Sequence, residues 1–267
     1  MRRGLIPAVL FSLVCFCGRA PGGAWTLDEG QTKIISGVTV STASKRFDAS
    51  AIRQDGFFFR KSFVQTSVEY GLTDDVTLLA APEYAQAEWG ANGEQTVHAP
   101  DAALGIGVRV LLFAHIGMLS VQGTARSGGV FDAYYVQGEN VKPAASREGE
   151  LRLLYGTNYR LFGDNGFIDL QAAKRWVSRP RPDETAFDAT AGLWLGSATL
   201  VMVQGFNIVS GGGAQAPYTS YHEHKLEVSL VQRISERWSL QIGAFVSPAG
   251  QNIIVERGLC SAIWVDL

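Results

Sequence analysis

The chain has 267 residues, with 23 basic against 25 acidic side chains and only 18 % charged residues. That charge fraction is below the roughly 25 % of ordinary soluble domains. The balance gives no basic footprint, so a nucleic-acid partner is not expected.

Residues 1–24 read as a secretory signal peptide. Arg2 and Arg3 form a charged start, and Leu5 to Cys17 form an apolar run too short to span a bilayer as a helix. Gly22-Gly23-Ala24 then supplies small residues at −3 and −1, which suits a cut before Trp25. Arg2, Arg3 and Arg19 leave with the leader and no acid does, so 20 basic residues face 25 acidic ones in the mature chain, a net charge of −5. Cys15 and Cys17 leave too, and the remaining Cys260 has no partner for an internal disulfide. Residues 25–267 contain no linker or low-complexity tract and read as one domain.

About twelve strands are predicted in chain order, near 30–42, 57–71, 76–89, 101–113, 116–127, 147–162, 166–177, 187–196, 198–209, 222–234, 238–247 and 253–267. The segment Ser62 to Leu79 shows the pattern best. Val64, Thr66, Val68, Tyr70 and Leu72 alternate with Gln65, Ser67 and Glu69, and Thr73-Asp74-Asp75 turns the chain into the next strand. Ala102 to Gln122 is apolar enough to read as one spanning helix. Gly105, Gly107 and Gly117 disfavour a helix interior, and Ile106, Val108, Val110 and Leu112 keep a period of two. Two strands with a turn near His115 are preferred.

Connections alternate in size. Short turns fall at Thr73–Asp75, Ala114–His115, Gly163–Asn165, Gly196–Ser197 and Ser235–Arg237, and longer loops near 43–56, 90–100, 128–146, 178–186, 210–221 and 248–252. Short turns on one side and long loops on the other, behind an export signal, indicate an all-β fold: a transmembrane antiparallel up-and-down β-barrel of the bacterial outer membrane. Parity then assigns faces. Leu151, Leu153 and Tyr155 oppose Glu150 and Arg152; Ile168 and Leu170 oppose Asp169 and Gln171; Leu226, Val228 and Leu230 oppose Lys225, Glu227 and Ser229. In a membrane barrel the apolar set meets lipid and the polar set lines the lumen. Two aromatic girdles are expected, from Tyr70, Phe162, Phe167, Trp194, Trp238 and Trp264 at one end and Trp89, Trp176 and Tyr221 at the other.

The whole plan resembles small bacterial outer-membrane barrels. The Tyr70-Gly71-Leu72-Thr73-Asp74 turn is similar to periplasmic turns of porin-like proteins in the MetA-type phenol-degradation transporter group. The last strand, Leu259 to Leu267, resembles the C-terminal signal read by the barrel-assembly machinery, with Trp264 near its end and Leu267 in place of the usual final aromatic. These resemblances imply outer-membrane lipid and the assembly machinery as partners.

No catalytic constellation is recognised. The His-x-Ser-Asn pattern of barrel phospholipases, Gly-x-Ser-x-Gly and His-Glu-x-x-His are all missing, and Asp74-Asp75 falls on the turn side, away from the rim where omptin-type proteases act. His222 and His224 share one face of a strand, but a zinc site needs three or four ligands, so no metal and no cofactor are expected. Eight basic and nine acidic side chains are assigned inward, close to neutral. Arg109, Glu150, Arg152, Arg160, Asp169, Arg175, Lys225, Glu227 and Arg233 are the candidate lumen-lining residues. The reading is a narrow, weakly charge-selective channel for passive diffusion of a small solute. A closed barrel acting through its outer loops, notably 128–146 with Tyr134 and Tyr135, stays open, as does a barrel-type lipid hydrolase.

Overall fold

The computed structural model describes residues 23–91, 97–128, 146–211, 214–215 and 218–267. Residues 1–22 of the expected signal peptide and nearly all of the 128–146 loop lie outside the described residues.

The described residues form strands and no helix. The strands are β1 (Thr32–Phe47), β2 (Arg53–Thr73), β3 (Val76–Ala91), β4 (Val97–Ala114), β5 (Met118–Gly128), β6 (Ser146–Leu161), β7 (Asp164–Val177), β8 (Glu184–Leu195), β9 (Thr199–Ser210), β10 (His222–Arg233), β11 (Trp238–Gln251), the two-residue β12 (Ile253–Ile254) and β13 (Arg257–Asp266). Each long strand pairs antiparallel with its sequence neighbour. The sheet closes where β13 pairs with β1, from Lys33 opposite Asp266 to Thr42 opposite Arg257. β12 continues that seam at Arg46 and Phe47. The result is a closed barrel of twelve long strands.

The ambiguous Ala102–Gln122 segment is a hairpin, with β4 and β5 joined through His115. Gly107 sits opposite Thr124 in this ladder, and Val108 and Ile106 expose their side chains outward. Every second residue of the other strands behaves the same way. Leu151, Leu153, Leu170, Val228, Ile242 and Leu259 are all exposed on the outer wall. A large apolar surface of this kind is unfavourable in water and favourable in hydrocarbon. The strands reach up to 21 residues, well beyond the roughly 9–11 that cross a bilayer.

Short connections join β2–β3, β4–β5, β6–β7, β8–β9 and β10–β11 at one end of the barrel. The start of β1 and the end of β13 lie at this end, which is the periplasmic one by the short-turn rule. The turn after β6 is Phe162–Gly163, slightly earlier than expected, and β7 already begins at Asp164.

A charge placed on the lipid face tests this orientation. Leu170→Arg, near the middle of β7, is expected to lower stability by about 2–4 kcal/mol. Reversible denaturant unfolding in lipid vesicles measures it, and Gln171→Arg on the adjacent inward position is expected to lose much less.

Candidate functional site

The site grows from the residues that precede β1. Residues 23–29 turn back into the periplasmic end of the lumen and occupy it. Their backbone groups are taken up by the barrel wall. The Ala24 N–H donates to Asp169 Oδ2 at 2.7 Å, and the Ser120 hydroxyl donates to the Ala24 carbonyl. The Leu27 N–H donates to Thr77 Oγ1 at 2.9 Å, the Thr26 hydroxyl to the Asp74 carbonyl at 2.7 Å, and the Glu29 N–H to Asp74 Oδ1 at 3.0 Å. Gly30 N donates to Gly71 O and Gly71 N to Gln31 O, each at 2.9 Å, so the segment leaves the lumen as an added rung beside β2. A chain without regular structure is tolerated inside a barrel when its buried amides find wall partners, as those of Ala24 and Leu27 do.

Trp25 is the head of this plug. Its indole is buried with Phe167, Trp194, Leu200, Met202, Val231 and Trp264. It meets Phe167 edge-on, at 5.9 Å between centroids and 88° between planes, the arrangement that places a positive ring edge against a negative ring face. Across from it, Gly156 leaves the necessary room: a Cβ there would lie 2.7 Å from Trp25 Cη2. Lys33 lies over Trp264 at 5.3 Å and Arg233 over Trp194 at 4.6 Å, so cations stack on two rings of the seat.

This seat corrects the girdle expectation. Tyr70, Phe162, Trp176 and Trp238 are exposed on the outside as expected. Phe167, Trp194 and Trp264 instead point into the lumen, and Tyr221 is buried near the opposite rim. Strand parity is the cause. Phe167 has the opposite phase to Ile168 and Leu170, and Trp264 the opposite phase to Ile263, which face lipid. The Trp89 side chain lies outside the described residues.

Above the plug one wall of the lumen carries a ladder of ion pairs. Arg109, only 1 % exposed, forms its lowest rung. It donates to both carboxylate oxygens of Glu69 (3.1 and 3.2 Å), to Gln122 (3.1 Å) and to the Trp25 carbonyl (3.0 Å). Arg152 then bridges Glu150 (2.8 Å) and Asp188 (2.5 Å), and Arg175 bridges Glu150 (2.8 Å) and Glu184 (2.6 Å). Near the outer rim Arg126 bridges Glu83 (2.9 Å) and Glu148 (3.0 Å). Shared carboxylates let each arginine use its planar fork twice.

The outer end is narrowed by the connection between β7 and β8. Arg181 turns inward from it and donates to Glu148 (2.9 Å) and Glu184 (3.3 Å). Gln215 N donates to Pro180 O at 3.0 Å, Gly211 N to Asp183 O at 2.6 Å, and the Tyr221 hydroxyl to Glu184. These bonds staple the connection to the segment before β10. The ladder wall borders a cavity of about 420 Å³, lined by Gln65, Glu83, Arg126, Arg152 and Thr190 among others, and by Glu69 and Arg109 of the lowest rung.

The candidate residues separate into groups. Arg109, Glu150, Arg152, Asp169 and Arg175 come together on the ladder wall. Lys225 stands on the other wall, where it and Lys61 flank Glu256 at 3.0 and 3.2 Å, and Glu227 accepts from Cys260 Sγ at 3.3 Å. Arg160 and Arg233 are placed elsewhere. Arg160 is exposed beside the Phe162–Gly163 turn and donates to Asn165, and Arg233 donates to Ser197 O at a neighbouring turn. Both are at the periplasmic end of their strands, where Arg233 also covers the Trp194 ring of the seat. His224 Nδ1 is bonded to Asn207 Oδ1 at 2.8 Å on the outer rim, and Glu223 turns the other way towards Lys225.

Four features escaped the sequence reading: Arg126, Arg181, Glu184 and the plug. Arg126 shares its phase with Gln122 and Thr124, so parity along β5 would have found it. Arg181 sits in Arg-Pro-Arg-Pro, a run with no period to read.

No family model and no curated protein matches the chain. Solved structures do. The COG4313 outer membrane channel from Pseudomonas putida F1 superposes with a TM-score of 0.68 at 14 % identity, covering 94 % of this chain and 100 % of that one. The translocator domain of the autotransporter NalP from Neisseria meningitidis gives 0.55 at 11 %, covering 90 % and 89 %. LpxR from Salmonella typhimurium gives 0.51 at 11 %, covering 86 % and 99 %. The fold is that of bacterial outer-membrane β-barrels.

Arg109→Ala leaves Glu69 buried without its cation. A loss of about 3 kcal/mol in unfolding free energy is expected, measured by urea titration in detergent, and Arg109→Lys is expected to restore only part of it.

Proposed function

We propose that the barrel is a narrow, weakly charge-selective channel for passive diffusion of small solutes across the bacterial outer membrane, held closed at its periplasmic end by residues 23–29. The observation that carries this reading is the charged cavity of about 420 Å³ inside the barrel, one of whose lining residues, Arg109, also holds the Trp25 carbonyl of the segment 23–29. A cavity of that size suits a single small organic solute. The ladder matches most of its arginines with carboxylates, so the path has a transverse field and little net preference for anions. Likeness in fold to a channel supports the reading, and the turn at Tyr70 to Asp74 supports kinship with MetA-type transporters in particular. The same proposal gives β13 as the strand read by the assembly machinery and outer-membrane lipid as the surround of the apolar wall.

The loop-based alternative rests on 128–146 with Tyr134 and Tyr135, which lie outside the described residues.

Planar-bilayer recording tests the proposal. The native protein is expected to show small, infrequent steps. Replacing Trp25, Thr26 and Leu27 together by Gly removes the indole and the plug's other side chains, and conductance is expected to rise several-fold. Absence of steps in both proteins would overturn the channel.

A further inference from the structure

Asp169 stands out on the ladder wall. It is 1 % exposed, yet no Arg or Lys nitrogen among the described residues lies within 4.0 Å of it. Its polar contacts are the Gln171 side-chain amide and the Ala24 N–H. Arg109 and Arg152 act on it only at longer range, and each is already engaged, Arg109 by Glu69 and Arg152 by Glu150 and Asp188. A buried carboxylate in such a place calls for one more cation.

The chain itself supplies a place for one. Gly23 lies against Asp169: a Cβ at Gly23 would be 3.2 Å from Asp169 Oδ2, and also 2.9 Å from the Trp25 ring, so a larger residue would have to displace that ring. Ala24 is fully buried, and both its N–H and its carbonyl are used by the wall. A chain that began at Trp25 would lose both contacts and leave Asp169 without the amide. The small-residue rule admits a second cut, with Ala20 at −3 and Gly22 at −1.

We propose that the processed chain begins at Gly23 and that its α-ammonium is the counter-ion of Asp169, so that leader removal completes the plug. A leader peptidase would add one water across the amide before Gly23. The carboxylate departs on the leader, and the new amine takes up a proton as the Gly23 ammonium. An attached leader leaves a neutral amide there and an uncompensated carboxylate. This start is two residues earlier than the cut expected before Trp25. The inference deepens the plug of the proposed function and rests on that segment being seated.

Mass spectrometry of the N-terminal peptide, on protein purified from outer membranes, gives the first test. Gly23 as first residue is expected, and any other first residue overturns the proposal. The second test is acylation of the α-amine at pH 7, separated from Lys33 by fragment ions. The native amine is expected to react at least tenfold more slowly than in Asp169→Asn. Where that variant fails to fold, heat-unfolded native protein serves as the comparison. Equal rates in native protein and its comparison overturn the ion pair. Neither readout uses conductance, so a plug that seats without gating is told apart from a start at another residue.

Discussion

Hydrocarbon offers no hydrogen bonds, so each backbone amide in the membrane must find its partner within the sheet. That requirement forces the seam between β13 and β1, where ten successive residues of β1, from Lys33 to Thr42, pair with the last strand. Closure then fixes everything else. With no free edge, each strand has one phase towards lipid and one towards the lumen, and a one-residue slip would exchange them. The outer row of Leu, Val and Ile and the inner row of Arg and Glu are two readings of the same alternation.

Twelve strands enclose more space than side chains fill unaided. The barrel meets this in two ways. Its upper lumen is braced by arginines, whose long stems and forked ends reach from one strand to the next. Its lower lumen is closed by a separate stretch of backbone with an indole at its head. Arg109 joins the two, since one guanidinium holds Glu69 on the wall and the Trp25 carbonyl on the plug. The lower lumen is therefore filled by residues that lie outside the strand framework.

The architecture was legible because its signal is local. A period of two, short turns such as Asp74-Asp75 and the break at His115 can each be seen within a few residues. Inward placement of Glu150, Arg152, Asp169 and Arg175 follows from the same parity. The plug was not legible. Trp25 to Glu29 carry no period, and their partners, from Asp74 to Trp264, are scattered along the chain. The seat was half legible: Phe167, Trp194 and Trp264 were read by their nearness to turns, as interfacial aromatics, although their phase already placed them inside. Position along a strand gives height, and only phase gives the face.

The energetics of the plug favour a closed but reversible state. Burying Trp25 contributes about 4 kcal/mol and Leu27 about 2. Six wall hydrogen bonds add about 8 in total, counting the three that involve Arg109, the Asp169 carboxylate and Asp74 Oδ1 as charge-assisted. Ordering residues 23–29 opposes this by about 10 at roughly 1.5 per residue. In the proposed channel, a surplus of about 4 kcal/mol would hold an open form near one part in a thousand, within the range where a minor state is still used. A balance that close makes single charges decisive. An unmatched Asp169 under the plug would weaken the closed state by an amount comparable to the whole surplus, and an ammonium at Gly23 facing it would remove that cost. The buried carboxylate thus sits where one ion pair sets whether the floor of the lumen stays in place.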